Sequence, residues 1–166
     1  MAEKLIVADT GPLIALSIMD LLPVLTHLFD RVMVPNAVVD ECLNDLSKPQ
    51  AAKINEALTN NLLVREKIVD STYCALLEEL LDSGEAEAIT LAVQHNAIVL
   101  LDEKSGRNIA KREGLKVVGS LFILIKAKQN GTIKSAAAAL EKLKQHGYYL
   151  SDSLVHKVLE ACSEVY

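Results

Sequence analysis

The sequence predicts a three-layer α/β/α domain on a central parallel sheet of about five strands, with a helical pair at its C-terminal end. Three observations predict it. Apolar, β-branched runs alternate with longer helical stretches, the pattern that builds βαβ units and a parallel sheet. The two longest runs, Leu5-Ile6-Val7-Ala8 and Ala97-Ile98-Val99-Leu100-Leu101, do not alternate apolar with polar, as strands buried on both faces do not. The hydrophobic half of the chain (51%) is mostly Leu, Val, Ile and Ala with 4% aromatics, which suits an α/β interior better than a β-sandwich.

Each element follows in chain order. Leu5–Ala8 is the first strand, and Asp9-Thr10-Gly11-Pro12 supplies a sharp turn into a helix over 12–28. Val32-Met33-Val34 is the second strand. Pro35 then leads into a helix over 36–46, with Asn36 a natural N-cap and Val38, Val39 and Leu43 a buried stripe. A helix over 49–60 precedes a weaker strand, Leu62-Leu63-Val64. Helices over 71–81 and 84–95 follow, the second opened by Asp82 and Glu85 at capping-box spacing. The strand Ala97–Leu101, a helix over 105–113, the strand Val117-Val118 and a helix over 120–129 complete the alternation. Two tail helices, 133–145 and 151–164, flank His146-Gly147-Tyr148-Tyr149, where the Gly fits a helix C-cap and Ser151 an N-cap. Residues 1–131 thus read as the α/β domain and 132–166 as an extension packed on it. Leu150, Leu154, Val155, Val158 and Leu159 are assigned to closing the core rather than to an interface.

Composition narrows the function. A chain of 166 residues is one domain, and 23% charged residues beside 51% hydrophobic ones exclude disorder. No apolar run approaches the roughly 18–20 residues that span a bilayer, and Met1-Ala2-Glu3-Lys4 has no secretory signal pattern, so no membrane association is expected. Cys42, Cys74 and Cys162 are odd in number and without a CxxC pair, which argues against a disulfide framework or a Cys-based zinc site. A reduced, cytoplasmic protein is expected. Its net charge of −5 argues against a protein that coats nucleic acid. Residues 1–103 carry 6 basic and 17 acidic side chains, however, whereas 104–134 carry eight basic and one acidic. An acidic body joined to a basic strip describes a metal site beside a phosphate-binding surface.

The acids that carry chemistry are those just past the strands, because ligands in open α/β sheets bind at the carboxyl ends of strands. Asp9 ends the first strand and Asp102 the fourth, followed by Glu103, Lys104 and Arg107. Two carboxylates converging on one edge need a cation or a proton between them. Asp40 and Glu41 sit in the second turn of their helix. Glu85 and Glu87 lie about 200° apart on theirs, so they cannot both face one site squarely. Neither GxGxxG, GxxxxGK[ST] nor GxSxG occurs, and Gly11 stands where a haloacid-dehalogenase-like phosphatase needs its second Asp. The first strand also lacks a receiver domain's paired acids. His27, His95, His146 and His156 are scattered and read as surface or packing residues.

In order along the chain, Val7-Ala8-Asp9-Thr10-Gly11-Pro12-Leu13-Ile14, Val34-Pro35 with Val38-Val39-Asp40-Glu41, Ser83-Gly84-Glu85-Ala86-Glu87-Ala88-Ile89, Leu100 to Arg107, and Gly114 to Ser120 resemble PIN-domain nucleases. The resemblance runs over most of 5–131 and is to the branch with a GEAEAI-type helix. It implies acids gathered around Mg²⁺ or Mn²⁺ that cut RNA. Asp9 then matches the first acid, Glu41 the second and Asp102 the fourth. Glu85 or Glu87 supplies the third, Glu103 adds a further acid, and Thr10 matches a hydroxyl beside the metal. Mg²⁺ takes oxygen ligands, and four carboxylates balance about two divalent ions, a set suited to in-line phosphodiester hydrolysis. On this reading Lys104 and Arg107 steady the scissile phosphate, with an RNA substrate, a small antitoxin protein and a homodimer as expected partners. The alternative is a non-catalytic PIN-like module that binds protein or RNA.

Overall fold

Five strands occur within residues 3–165, the residues that the computed structural model describes. They are β1 (Leu5–Ala8), β2 (Arg31–Pro35), β3 (Val64–Glu66), β4 (Ile98–Leu100) and β5 (Val117–Val118), and they form one sheet in the order β3-β2-β1-β4-β5. All four pairings are parallel. The central strand β1 aligns Ile6 with Val32 on one side and with Ile98 on the other.

Side chains of period two divide the sheet between two cores. Ile6, Ala8, Val32, Val34 and Leu100 face one cluster, whereas Val7, Met33, Val99 and Leu101 face the other. The first cluster is covered by α1 (Thr10–Ile18), α2 (Leu22–Leu28), α3 (Asn36–Cys42), α4 (Pro49–Thr59) and α8 (Ser120–Gln129). The second lies beneath α5 (Ser71–Glu78), α6 (Ser83–His95) and α7 (Lys104–Arg112). The layers are thus helix, sheet, helix, and burial on both faces is why β1 and β4 read as unbroken apolar runs. The tail forms α9 (Ala136–Gln145) and α10 (Asp152–Ala161). Their Leu140, Leu143, Val155, Val158 and Leu159 join the same cluster as Ile6 and Leu13, whereas Leu154 is partly exposed. Among the described residues, no single helix is long and apolar enough to cross a membrane.

Several expected helices are shorter by two to four residues at an end, such as 71–81, which stops at Glu78, and 133–145, which starts at Ala136, and three elements differ in ways with a visible local cause. The helix expected over 12–28 is two helices bent by 110°. Pro23 brings no amide donor to a continuous helix and instead opens α2, while Asp20 takes a left-handed φ of 58° at the break. The third strand begins at Val64 rather than Leu62, because the Leu62 and Leu63 amides donate to Ala57 O at 2.9 and 3.2 Å and close α4. Only beyond them is the backbone available to β2. The helix expected over 36–46 ends at Cys42, and its N-cap position is Pro35. Asn36, expected to cap it, accepts a hydrogen bond from Arg65 instead.

Candidate active site

The chain leaves β1 toward β2 on one side and later returns to β4 on the other, so the carboxyl ends of β1 and β4 border the switch point of the sheet, the usual ligand crevice of such folds. Asp9 is the first residue past β1, and its N–H extends the ladder to Leu100 O at 3.2 Å. It opens α1 without a side-chain capping bond. The simplest structural explanation of a strand-terminal Asp is therefore missing, and the carboxylate is left for other partners.

Those partners surround Gly84, in the first turn of α6. A Cβ built there would stand 3.2 Å from Asp9 Oδ1, 3.3 Å from Glu41 Oε2 and 3.5 Å from Asp82 Oδ1. Three carboxylate oxygens from β1, α3 and the α6 N-cap thus crowd one point, and only a residue without a side chain leaves that space open. Thr10 Oγ1 donates to Glu41 Oε2 at 2.9 Å and fixes the α3 acid against the β1 turn. Asp9 is 9% exposed. Burial, then the charges of Asp82, Glu41 and Glu103, lift its carboxyl to about 7 against a partial offset from the Thr10 N–H.

Glu85 extends the group toward α7. It is 4% exposed, and its Oε2 has no hydrogen-bond partner among the described residues. A Cβ on Gly106, in the first turn of α7, would stand 2.5 Å from that oxygen. The missing side chain at 106 is what lets the carboxyl reach the helix start. Burial, with Asp82, Asp9 and Glu103 nearby, raises the Glu85 carboxyl well above the ordinary range. Carboxyls raised in this way are short of positive charge, and a buried oxygen without a partner asks for a donor or a cation.

The remaining residues divide. Asp102 also lies at this edge, but both its oxygens are engaged: Oδ1 accepts from the Ser120 N–H and Oδ2 from Ser120 Oγ, each at 2.8 Å. It thereby ties the end of β4 to the start of α8. Glu103, at the N-cap position of α7, is the neighbouring acid whose charge reaches Asp9 and Glu85. Glu87 lies on another side of α6, where Oε1 accepts the Ala37 N–H at 3.1 Å and holds the start of α3. Arg107 Nη1 donates to Leu101 O at 2.7 Å, and Lys104 is exposed in the same first turn of α7.

The family model described as "DUF3368: PIN domain" matches residues 5–164. The chain belongs to the PIN-domain family. PIN domains are generally nucleases, so a nuclease-like, hydrolytic function is the family's reading of this fold. No curated protein matches this chain. The matched span takes in both tail helices of this PIN domain as well as its sheet.

Sequence reasoning assigned Asp82 only to capping. It does cap α6, accepting the Glu85 N–H at 2.8 Å, but its other role is as a wall of the acid group. The capping explanation hid the second one. Ser120 was also missed, although it directly follows a strand and Gly119 at the same sheet edge. No three His, Cys, Asp or Glu side chains among the described residues already stand in metal-ligand positions. The oxygen-only donors, the space over Gly84 and the orphaned Glu85 oxygen nevertheless fit a hard divalent cation of the kind PIN domains typically use.

Proposed function

We propose that this PIN domain is a divalent-metal-dependent endoribonuclease that hydrolyses RNA phosphodiester bonds. The observation that carries the proposal is the convergence of Asp9, Glu41 and Asp82 on the open space above Gly84, with Glu85 buried behind them. Asp9, Glu41, Asp82 and Glu85 would hold Mg²⁺ or Mn²⁺, with Glu103 beside them. A bound divalent ion supplies charge neutralisation at the phosphate and acidifies a water molecule. The chain's own residues do the rest. Thr10 orients Glu41 through its 2.9 Å hydrogen bond, and Ser120 holds Asp102. Asp9 gives up its proton near neutral pH, when a cation can replace it. Lys104 and Arg107 bring positive charge to the edge where a phosphate would lie, and the basic strip beyond them tracks the RNA backbone.

On the same reading the protein works in the cytoplasm as the toxin of a toxin–antitoxin pair, as a homodimer restrained by a small antitoxin. Resemblance to toxin-type PIN proteins is the support for those assignments. The testing experiment incubates single-stranded RNA with the purified protein and Mn²⁺ or Mg²⁺, beside a chelator control and Asp9→Asn. Cleavage that needs both the metal and Asp9 supports the proposal. Cleavage retained by Asp9→Asn overturns a site built on Asp9, and no cleavage by the wild type turns the reading to a non-catalytic RNA- or protein-binding module.

A further inference from the structure

We propose that the pocket walled by Glu41, Asn44, Gln50, His146 and Tyr148 seats one unstacked RNA base beside the scissile phosphate, which makes the α9–α10 turn part of the substrate site. The inference rests on the ribonuclease reading above.

The pocket has a volume of about 230 Å³ and an apolar floor that includes Ile14 and Ile18 of α1. Its inner wall is Glu41, the residue whose Oε2 stands over Gly84 beside Asp9. The pocket therefore shares one residue, Glu41, with the acid group.

Its outer wall comes from a part of the chain more than a hundred residues away, and a helix stop positions it. Gly147 takes a φ of +88°, a conformation in which a side chain is strained. The Gly147 N–H donates to Lys144 O at 3.0 Å and the Tyr148 N–H to Leu143 O at 3.1 Å. These two bonds form a Schellman motif that ends α9 and fixes the direction of Tyr148. His146 is held as well, with Nδ1 2.8 Å from Lys142 O. A carbonyl only accepts, so Nδ1 carries the proton and Nε2 remains available. Tyr148 also senses Asp102, whose charge adds to burial in raising the phenol. Its hydroxyl stays protonated at neutral pH, and Tyr148 lines the pocket together with Glu41.

The lining matches a base better than a phosphate. Two rings, Tyr148 and His146, offer π-faces for stacking. The Asn44 and Gln50 amides each offer a donor and an acceptor for a base edge. Sequence-specific RNA recognition targets unstacked bases laid on aromatic rings and hydrogen-bonded at their edges. Among the charged residues of the lining, Glu41 and Asp45 outnumber Lys48, so the pocket is not cationic, and the basic strip that would follow the phosphates lies on 104–134 of the chain.

The test uses the full chain with Mn²⁺ and a single-stranded RNA cut at one bond. The same RNA is then made abasic at each nucleotide flanking that bond in turn. In the wild type, removing one flanking base should lower kcat/KM by on the order of tenfold to a hundredfold, mainly through KM. Tyr148→Ala should abolish the difference between intact and abasic RNA, whereas Tyr148→Phe should keep it. Each ratio is taken within one protein, so a change in folded fraction does not mimic the effect. Equal cleavage of intact and abasic RNA by the wild type, or a full ratio retained by Tyr148→Ala, overturns the pocket while the nuclease reading stands. Failure of the wild type to cut any RNA overturns both.

Discussion

Removing the Asp9 charge should stabilise the metal-free protein at neutral pH, and the size of the gain follows from the site. Asp9 is buried among Asp82, Glu41 and Glu103, and its carboxyl is raised from 3.8 to about 7. Its protonated form is thus favoured by the fold. Stability from this group is fully present below pH 3.8 and is lost as pH rises to about 7. Roughly three pH units at 1.36 kcal/mol each set an upper bound of about 4 kcal/mol, and relaxation around the charge reduces it to ~2–4 kcal/mol. Asn keeps the shape without the charge. Asp9→Asn in chelator should therefore melt on the order of 10 °C above the wild type at pH 8, at about 2–4 °C per kcal/mol for a domain of this size. The gap should close toward pH 4.5. Paired thermal melts across this range test it, since titrations common to both proteins cancel. An Asp9→Asn protein no more stable than the wild type at pH 8 would refute the reasoning that the acid group stores electrostatic strain for a cation to relieve.

Two further substitutions probe the supports of the site. Gly106→Ala improves helix propensity by about 1 kcal/mol, yet places a Cβ 2.5 Å from Glu85 Oε2. Urea denaturation should show a net loss of ~1–3 kcal/mol, and a net gain would mean that Glu85 moves aside freely. Ser120→Ala removes the hydroxyl donor to Asp102 Oδ2 and should cost about 1 kcal/mol, since the carboxylate is exposed and keeps the Ser120 N–H.

How much of this was legible depended on whether the cause was local. The sheet was readable because burial on both faces writes itself as unbroken apolar runs at β1 and β4. Asp9 was readable because a strand end fixes where a side chain emerges. Breaks in helices depended on single residues that hydrophobicity overlooks, such as Pro23. Glu85 and Glu87 could be separated by helical angle but not ranked, since their partners, Gly106 and Ala37, belong to other elements. Asp82 was obscured by a sufficient simpler explanation. The approach of His146 and Tyr148 to Glu41 left no local signal, because only tertiary packing brings them to one pocket.

The most direct measurement is a thermal melt at pH 8 titrated with Mn²⁺, on the wild type and Asp9→Asn in parallel. A cation that binds only the folded protein stabilises it by about 2.7 kcal/mol at a hundred times its Kd. The wild-type Tm should therefore climb steadily with Mn²⁺, with that of Asp9→Asn staying near its metal-free value. A wild-type Tm unmoved by millimolar Mn²⁺, or the same rise in both proteins, would contradict a cation site built on Asp9.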